Sequence, residues 1–292
     1  MKKLSKVWKA AGIFAVAGLA LAVTPGVARA DNVAFTLNEG NSIIPGTNTA
    51  SYTVDDINGK YNEQVLLGAT TFSATLVVNF ATYLNTVNVP PPTETPVATQ
   101  LGATVPGGET TDTNLYAMYT LVTVSGTYTA APLLGNTVYV FSPTASTASI
   151  WVDPTRDTVT DFTTATVTSG GGDDLQIMNA TSIFAPLSTG QVTVNGSGAV
   201  LGGFYSLTYS DPTLVSPTGP LYWTGLNLMT LVATASGDVD TTGQGSSFPL
   251  GVKGDTDITF SPTPVPEPAS LVLLGTGLLG AAGARRRSKK QQ

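Results

Sequence analysis

Thr71-Phe72-Ser73-Ala74-Thr75-Leu76-Val77-Val78-Asn79-Phe80 decides the fold class. Phe72, Ala74, Leu76, Val78 and Phe80 fall on one face of an extended chain, and Thr71, Ser73, Thr75 and Asn79 on the other. A repeat of two belongs to a strand, and one apolar face backed by one wet face is the antiparallel pattern. The alternation returns in Tyr205, Leu207 and Tyr209 against Ser206, Thr208 and Ser210. It returns again in Ile258 and Phe260 against Asp257 and Thr259, and in Val192 and Val194 against Gln191, Thr193 and Asn195. Leu115 to Val124 and Leu226 to Ala233 are apolar on both faces, which predicts central strands.

Turn-forming groups lie between these runs: Asn58-Gly59, Pro106-Gly107-Gly108, Gly135-Asn136, Asn195-Gly196, Asp211-Pro212 and Ser236-Gly237-Asp238. No interior stretch has the capping and 3.6-residue period of a useful helix. Charged residues make up 11% of the chain, against roughly 25% in an ordinary soluble protein. Thr, whose branched side chain suits a strand, fills much of the difference. Many strands at short intervals predict an all-β fold, an antiparallel β-sandwich of the jelly-roll or Ig-like class or a related barrel. It spans residues 31–260 as one extracellular domain. Pro90-Pro91-Pro92 to Pro106-Gly107-Gly108 reads as a long Pro/Thr-rich insertion loop. Residues 261–268, with four prolines, read as a stiff extended spacer.

Both ends of the sequence are addresses. Lys2, Lys3, Lys6 and Lys9 precede an apolar run from Ala10 to Val23, and Ala28-Arg29-Ala30 is a small-x-small cleavage site. Residues 1–30 therefore read as a signal peptide, with signal peptidase as a partner and Asp31 as the expected mature N-terminus. At the other end Pro266, Glu267 and Pro268 precede an apolar run over 269–284 and a basic tail over 285–292. The run makes a helix roughly 24 Å long, short of the roughly 30 Å hydrocarbon core, so the flanking arginines must snorkel. Arg285, Arg286 and Arg287, with two lysines behind them, are costly to translocate. They stay cytoplasmic and hold the bulk of the chain outside. Prolines on both sides of Glu267 keep that segment extended and accessible.

Setting the ends aside changes the charge. Of 13 Lys and Arg, only Lys60, Arg156 and Lys253 lie between Asp31 and Ala284, where all 19 acids lie, a net of −16. Such a surface repels nucleic acid and anionic lipid, which excludes nucleic-acid binding. The absence of His excludes histidine-based triads and histidine metal sites. The absence of Cys excludes disulfides and thiol nucleophiles, so an exported domain must hold together by its core.

The remaining candidates for chemistry are acids and aromatics. Asp153, Asp157, Asp173, Asp174, Asp238 and Asp240 stand in pairs that could supply oxygens to Ca²⁺, as do Asp55-Asp56 and Asp255-x-Asp257. No complete Ca²⁺ loop is present, and Asp also favours turns because its side chain bonds nearby backbone amides. No metal or other cofactor is required. Glu39, Glu63, Glu94 and Glu109 have loop-like surroundings, which argues against the paired carboxylates of a glycosidase. Trp151 and Trp223 with Tyr205, Tyr209 and Tyr222 either form a sugar-binding platform or belong to the core.

The order Pro266-Glu267-Pro268, apolar helix, basic cluster resembles the PEP-CTERM sorting signal of Gram-negative bacteria. An ordinary C-terminal anchor would need the helix but not the Pro-Glu-Pro. The resemblance implies that exosortase, a membrane-embedded cysteine protease-transferase, reads this segment and removes the tail. Membrane insertion is then transient, and the protein ends at the cell surface or in the extracellular matrix. A second resemblance covers most of residues 31–268. Phe35-Thr36-Leu37-Asn38-Glu39, Ile57-Asn58-Gly59-Lys60-Tyr61-Asn62-Glu63, Ser149-Ile150-Trp151-Val152-Asp153-Pro154, Gly172-Asp173-Asp174 and Ser236-Gly237-Asp238-Val239-Asp240 look like the flocculation-associated PEP-CTERM proteins. These are secreted by bacteria that embed themselves in exopolysaccharide. The resemblance implies a non-catalytic role in flocculation or biofilm formation, with exopolysaccharide as partner. A carbohydrate- or calcium-binding module and an extracellular polysaccharide hydrolase are the alternatives.

Overall fold

Alternating faces and frequent turns become strands joined almost entirely in sequence order. The structure, a computed structural model, describes residues 32–40, 44, 51–87, 93–97, 101, 116–240 and 248–262. Two short strands, β1 (Phe35–Asn38) and β2 (Ser51–Val54), pair with each other. A meander follows through β3 (Asp56–Leu67) and β4 (Thr71–Val87), with the short β5 (Thr93–Val97) on β4, and on to β6 (Ala117–Leu133) and β7 (Asn136–Asp153). A small hairpin of β8 (Val159–Asp161) and β9 (Thr166–Ser169) precedes β10 (Leu175–Ala180), which pairs with the second half of β7. The meander resumes with β11 (Thr189–Val194) and β12 (Val200–Tyr209). β13 (Thr213–Leu214), helix α1 (Thr218–Tyr222) and β14 (Trp223–Thr224) lead to β15 (Leu231–Asp238) and β16 (Leu250–Pro262).

Two pairings close the ladder on itself. β11 lies along the first half of β7, from Gly190 opposite Phe141 to Val194 opposite Thr137. β16 lies along β3, from Leu250 opposite Val65 to Thr259 opposite Asp56. The ring β3-β4-β6-β7-β11-β12-β15-β16 is antiparallel throughout and follows chain order. The expected all-β, antiparallel class is therefore what the chain adopts. The jelly-roll or Ig-like connectivity is corrected: a Greek key returns a strand across its neighbours, whereas here nearly every ring connection joins neighbours. Tight turns enforce this. Leu134 and Gly135 form a two-residue turn at φ 51° and 83° between Leu133 and Asn136, the left-handed geometry that matches strand twist. Asn195 accepts from the amides of Ser197 and Ala199 at the β11–β12 turn.

Two expected turns are strands. Asn58-Gly59 sits inside β3 at a bulge, and Ser236-Gly237-Asp238 ends β15. Glycine is needed at 237 for close approach, since a Cβ there would collide with the Asp255 carbonyl and the Tyr205 ring. The central strand expected from Leu226 begins only at Leu231, after a 3₁₀ turn over Leu228–Thr230. The expected insertion loop contains β5, an edge strand in which Pro96 is tolerated.

Eight strands make an interior just wide enough for side chains to fill. Phe72, Ala74, Leu76, Val78 and Phe80 are all buried, as are Val122, Ile150, Val192, Leu207 and Ile258. Edge-on rings, Phe72 to Phe141 at 4.9 Å and Tyr61 to Tyr205 at 5.0 Å, pack across it. Two voids among the described core side chains hold about 40 and about 30 Å³, room for a few waters. The interior is a core, not a ligand chamber.

One end is sealed by the elements outside the ring. Phe35 on β1 packs 5.3 Å from Phe260 and 6.0 Å from Trp223. The Tyr222 hydroxyl shares hydrogen bonds with Tyr83 at 2.5 Å and Tyr116 at 2.8 Å, and Tyr116 donates to Glu39 at 2.5 Å. All four are fully buried. The Val33 amide donates to the Phe260 carbonyl, so the chain enters beside the strand by which it leaves. No helix among the described residues is long and apolar enough to cross a membrane. The expected signal peptide with Ala28, Ala30 and Asp31 lies outside the described residues. So do Pro266, Glu267 and Pro268, the apolar run over 269–284, and Arg285, Arg286 and Arg287.

Candidate functional site

The segment between β7 and β10 gathers four of the predicted acids. β7 ends at Asp153, whose side chain is fully buried. Its carboxylate accepts from the amides of Thr155 (3.1 Å) and Arg156 (2.6 Å) through Oδ1, and of Thr158 (3.0 Å) through Oδ2. The three bonds wind the chain into a tight turn in which Arg156 takes φ 61°, a left-handed conformation that costs a bulky residue energy. Asp173 accepts from the Thr155 hydroxyl at 2.9 Å. The turn thereby brings the carboxylates of Asp153, Asp157 and Asp173 within 4.8 Å of one another, the one such group among the described residues.

Asp174 faces the barrel wall instead. It accepts from the Tyr119 hydroxyl at 2.5 Å and from the Thr158 hydroxyl at 2.9 Å. Burial pushes its carboxyl above the ordinary value, and the bonds from Tyr119 and Thr158 oppose that shift. Burial also raises the Tyr119 phenol, as does its bond to Asp174. The ring of Trp151 lies 6.5 Å from Tyr119 and 7° from parallel, with its N–H donated to Ser149 at 3.0 Å. Chemically, Asp157 and Asp173, both exposed, could offer oxygens to a hard cation. Asp153 already spends three acceptor positions on backbone amides.

The other predicted residues are dispersed. Asp238 ends β15, and the amide of Asp240 donates to the Lys253 carbonyl, away from the Asp153 turn. Asp255 pairs with Lys60 at 3.1 Å. Of the aromatic set, Trp151 and Tyr205 are half-buried, Trp223 and Tyr222 are buried in the sealed end, and Tyr209 lies in the core. Tyr205 packs against that core and donates to Thr256 at 2.5 Å. The platform reading is corrected for Tyr205, Tyr209, Tyr222 and Trp223, because each ring sits on an inward position or under the cap.

The loop-like setting expected for the glutamates is corrected for Glu63 and Glu94; Glu39 follows the end of β1 outside any strand, and Glu109 lies outside the described residues. Glu63 is on β3 and Glu94 on β5, while Glu39 is buried against Tyr116. Glu63 points into the apolar interior beside Val65, Phe72, Phe141 and Tyr205. Burial alone pushes its carboxyl up to about 7. Asp56 is 4% exposed, with Oδ1 lacking any hydrogen-bond partner. Burial first, then the charges of Asp257, Glu94 and Asp55, raise it to about 8. Period-two counting from Tyr61 places Glu63 on the inner face; only the neighbouring glutamine and asparagine disguised that strand as a loop.

An all-antiparallel β domain with an acidic turn on its wall defines a class of fold but no reaction. Residues 264–287 match the PEP-CTERM protein-sorting motif, so the chain carries that sorting signal. The motif implies an exosortase-dependent protein exported to the cell envelope or surface. No curated protein and no solved structure matches the chain.

Proposed function

We propose that this is an exosortase-processed, non-catalytic surface or extracellular-matrix protein that promotes flocculation or biofilm formation together with exopolysaccharide. The observation that carries the reading is the position of the sorting motif. β16 ends at Pro262 and the motif match begins at residue 264, so cutting near Pro266-Glu267-Pro268 leaves every described strand intact. The motif serves delivery, and the barrel is the cargo. The lack of His and Cys and the scattered placement of Glu39, Glu63 and Glu94 favour a non-catalytic cargo over a hydrolase, which needs two carboxylates flanking one bond. Deleting the gene in the producing strain should abolish flocculation while leaving polysaccharide yield and chain length unchanged. Intact flocculation in that strain would sink the reading, and altered polymer length would favour the hydrolase.

A second reading, a calcium-binding module, is favoured by the convergence of Asp153, Asp157 and Asp173. Adding Ca²⁺ to the protein should raise its Tm, and Asp157→Asn with Asp173→Asn should remove that rise. An unchanged Tm in the parent chain disposes of it.

A further inference from the structure

The ring divides by charge. Asp56, Lys60 and Glu63 lie on β3, Asp238 on β15, and Lys253, Asp255 and Asp257 on β16, three strands that are neighbours in the ring. β4, β6, β11 and β12 carry no Asp, Glu, Lys or Arg, and β7 carries only its last residue, Asp153. On the outer face of this charge-free arc, cross-strand partners place Thr129, Val140, Gln191 and Phe204 in one row. The row meets Asp238 on β15, where the acidic arc begins. Ala131, Val138 and Thr193 form the next row outward. Beyond them stands the turn with Leu133 and Leu134, and Gly196 of the β11–β12 turn lies against the Gly135 carbonyl. Leu133, Leu134, Val140, Leu201 and Phe204 are all exposed, Leu134 at 95%.

We propose that this arc is a self-association surface whose occupant is a second copy of the same chain, docked isologously. Exposed apolar side chains grouped on a face without charge have the composition of an interface core. Charge decides the occupant. Two chains of net −16 repel, but docking centred on the Val140 row turns β3 and β16 of both copies away from the contact, and the acidic turn that follows Asp153 lies against the opposite end of β7. The salt-screening length is only about 8 Å at physiological ionic strength, so repulsion between far walls is weak in that orientation. A basic partner would instead settle on β3, β15 and β16. A neutral polysaccharide offers hydroxyls but little apolar surface to cover the leucines at the turn. A two-fold pairing of like patches is also the commonest way for a chain to bind itself.

The chain has no cysteine, so an introduced one is unique. Treated with a short bismaleimide, the full chain bearing Val140→Cys or Leu134→Cys should give covalent dimers. The chain bearing Asn62→Cys, at an exposed position on β3, should not. Adding Phe204→Lys to Val140→Cys should bring the dimer yield down to the Asn62→Cys level, even though the new lysine lowers the net repulsion between copies. Leu134→Asp, on an exposed turn remote from the core, should do the same to Val140→Cys. No dimer from either arc cysteine, an equal yield from Asn62→Cys, or yields indifferent to both disrupting changes would overturn the proposal. Retention on a neutral glucan column without cross-linking would also overturn it, in favour of a glycan.

Discussion

Glu63 and Asp56 are single residues whose environment opposes their charge. The charge of Glu63 acts on the Tyr61 and Tyr205 phenols, which offer it no positive charge in return. Asp56 faces Asp257, Glu94 and Asp55. Their ordinary values are 4.5 and 3.8, and folding lifts them to about 7 and about 8. Between the two sets of values the folded chain holds protons that the unfolded chain has released. The stability they allow is thus complete below about pH 4 and declines as pH rises to about 8. Glu63→Gln combined with Asp56→Asn should flatten that decline and raise the Tm on the alkaline side. Thermal melts across this range check it, and a parent chain that gains stability with rising pH would contradict it. At Asp153 three backbone amides donate to one carboxylate, and the turn depends on them.

Strands and turns carry the next level of information. Period-two patterning located β4, β12 and β16 because each has one face in the core and one in water. It failed at Asn58-Gly59 and Ser236-Gly237-Asp238, where glycine marks a crowded strand and not a turn. Local sequence does not distinguish these uses, because the colliding atoms come from strands far away in the chain. For Gly237 they are the Asp255 carbonyl and the Tyr205 ring. Gly237→Ala should therefore destabilise the barrel by about 1–3 kcal/mol, the usual cost of overpacking. Urea unfolding measures it, and a change within error would mean that β15 can move away from β16 at little cost.

At the scale of the whole molecule, the sequence by itself determined the strand class, the antiparallel pairing, the C-terminal sorting signal and the chemistry that lacks His or Cys. These are properties of composition and short-range order, written in neighbouring residues. The acidic turn was half legible: Asp153, Asp157, Asp173 and Asp174 could be named. Their convergence, and the diversion of Asp174 to Tyr119, depended on how β7 and β10 pair. Only the tertiary structure decided that β16 returns to β3 and closes a ring. The same closure brings residues 56–67, 231–238 and 250–262 together, which gathers most ring charges on one side and leaves a neutral arc opposite. The physical reason is one of range. Alternation reports which face of a strand is wet, while the choice of neighbour depends on hydrogen bonds and packing between segments up to about two hundred residues apart, which no local pattern records.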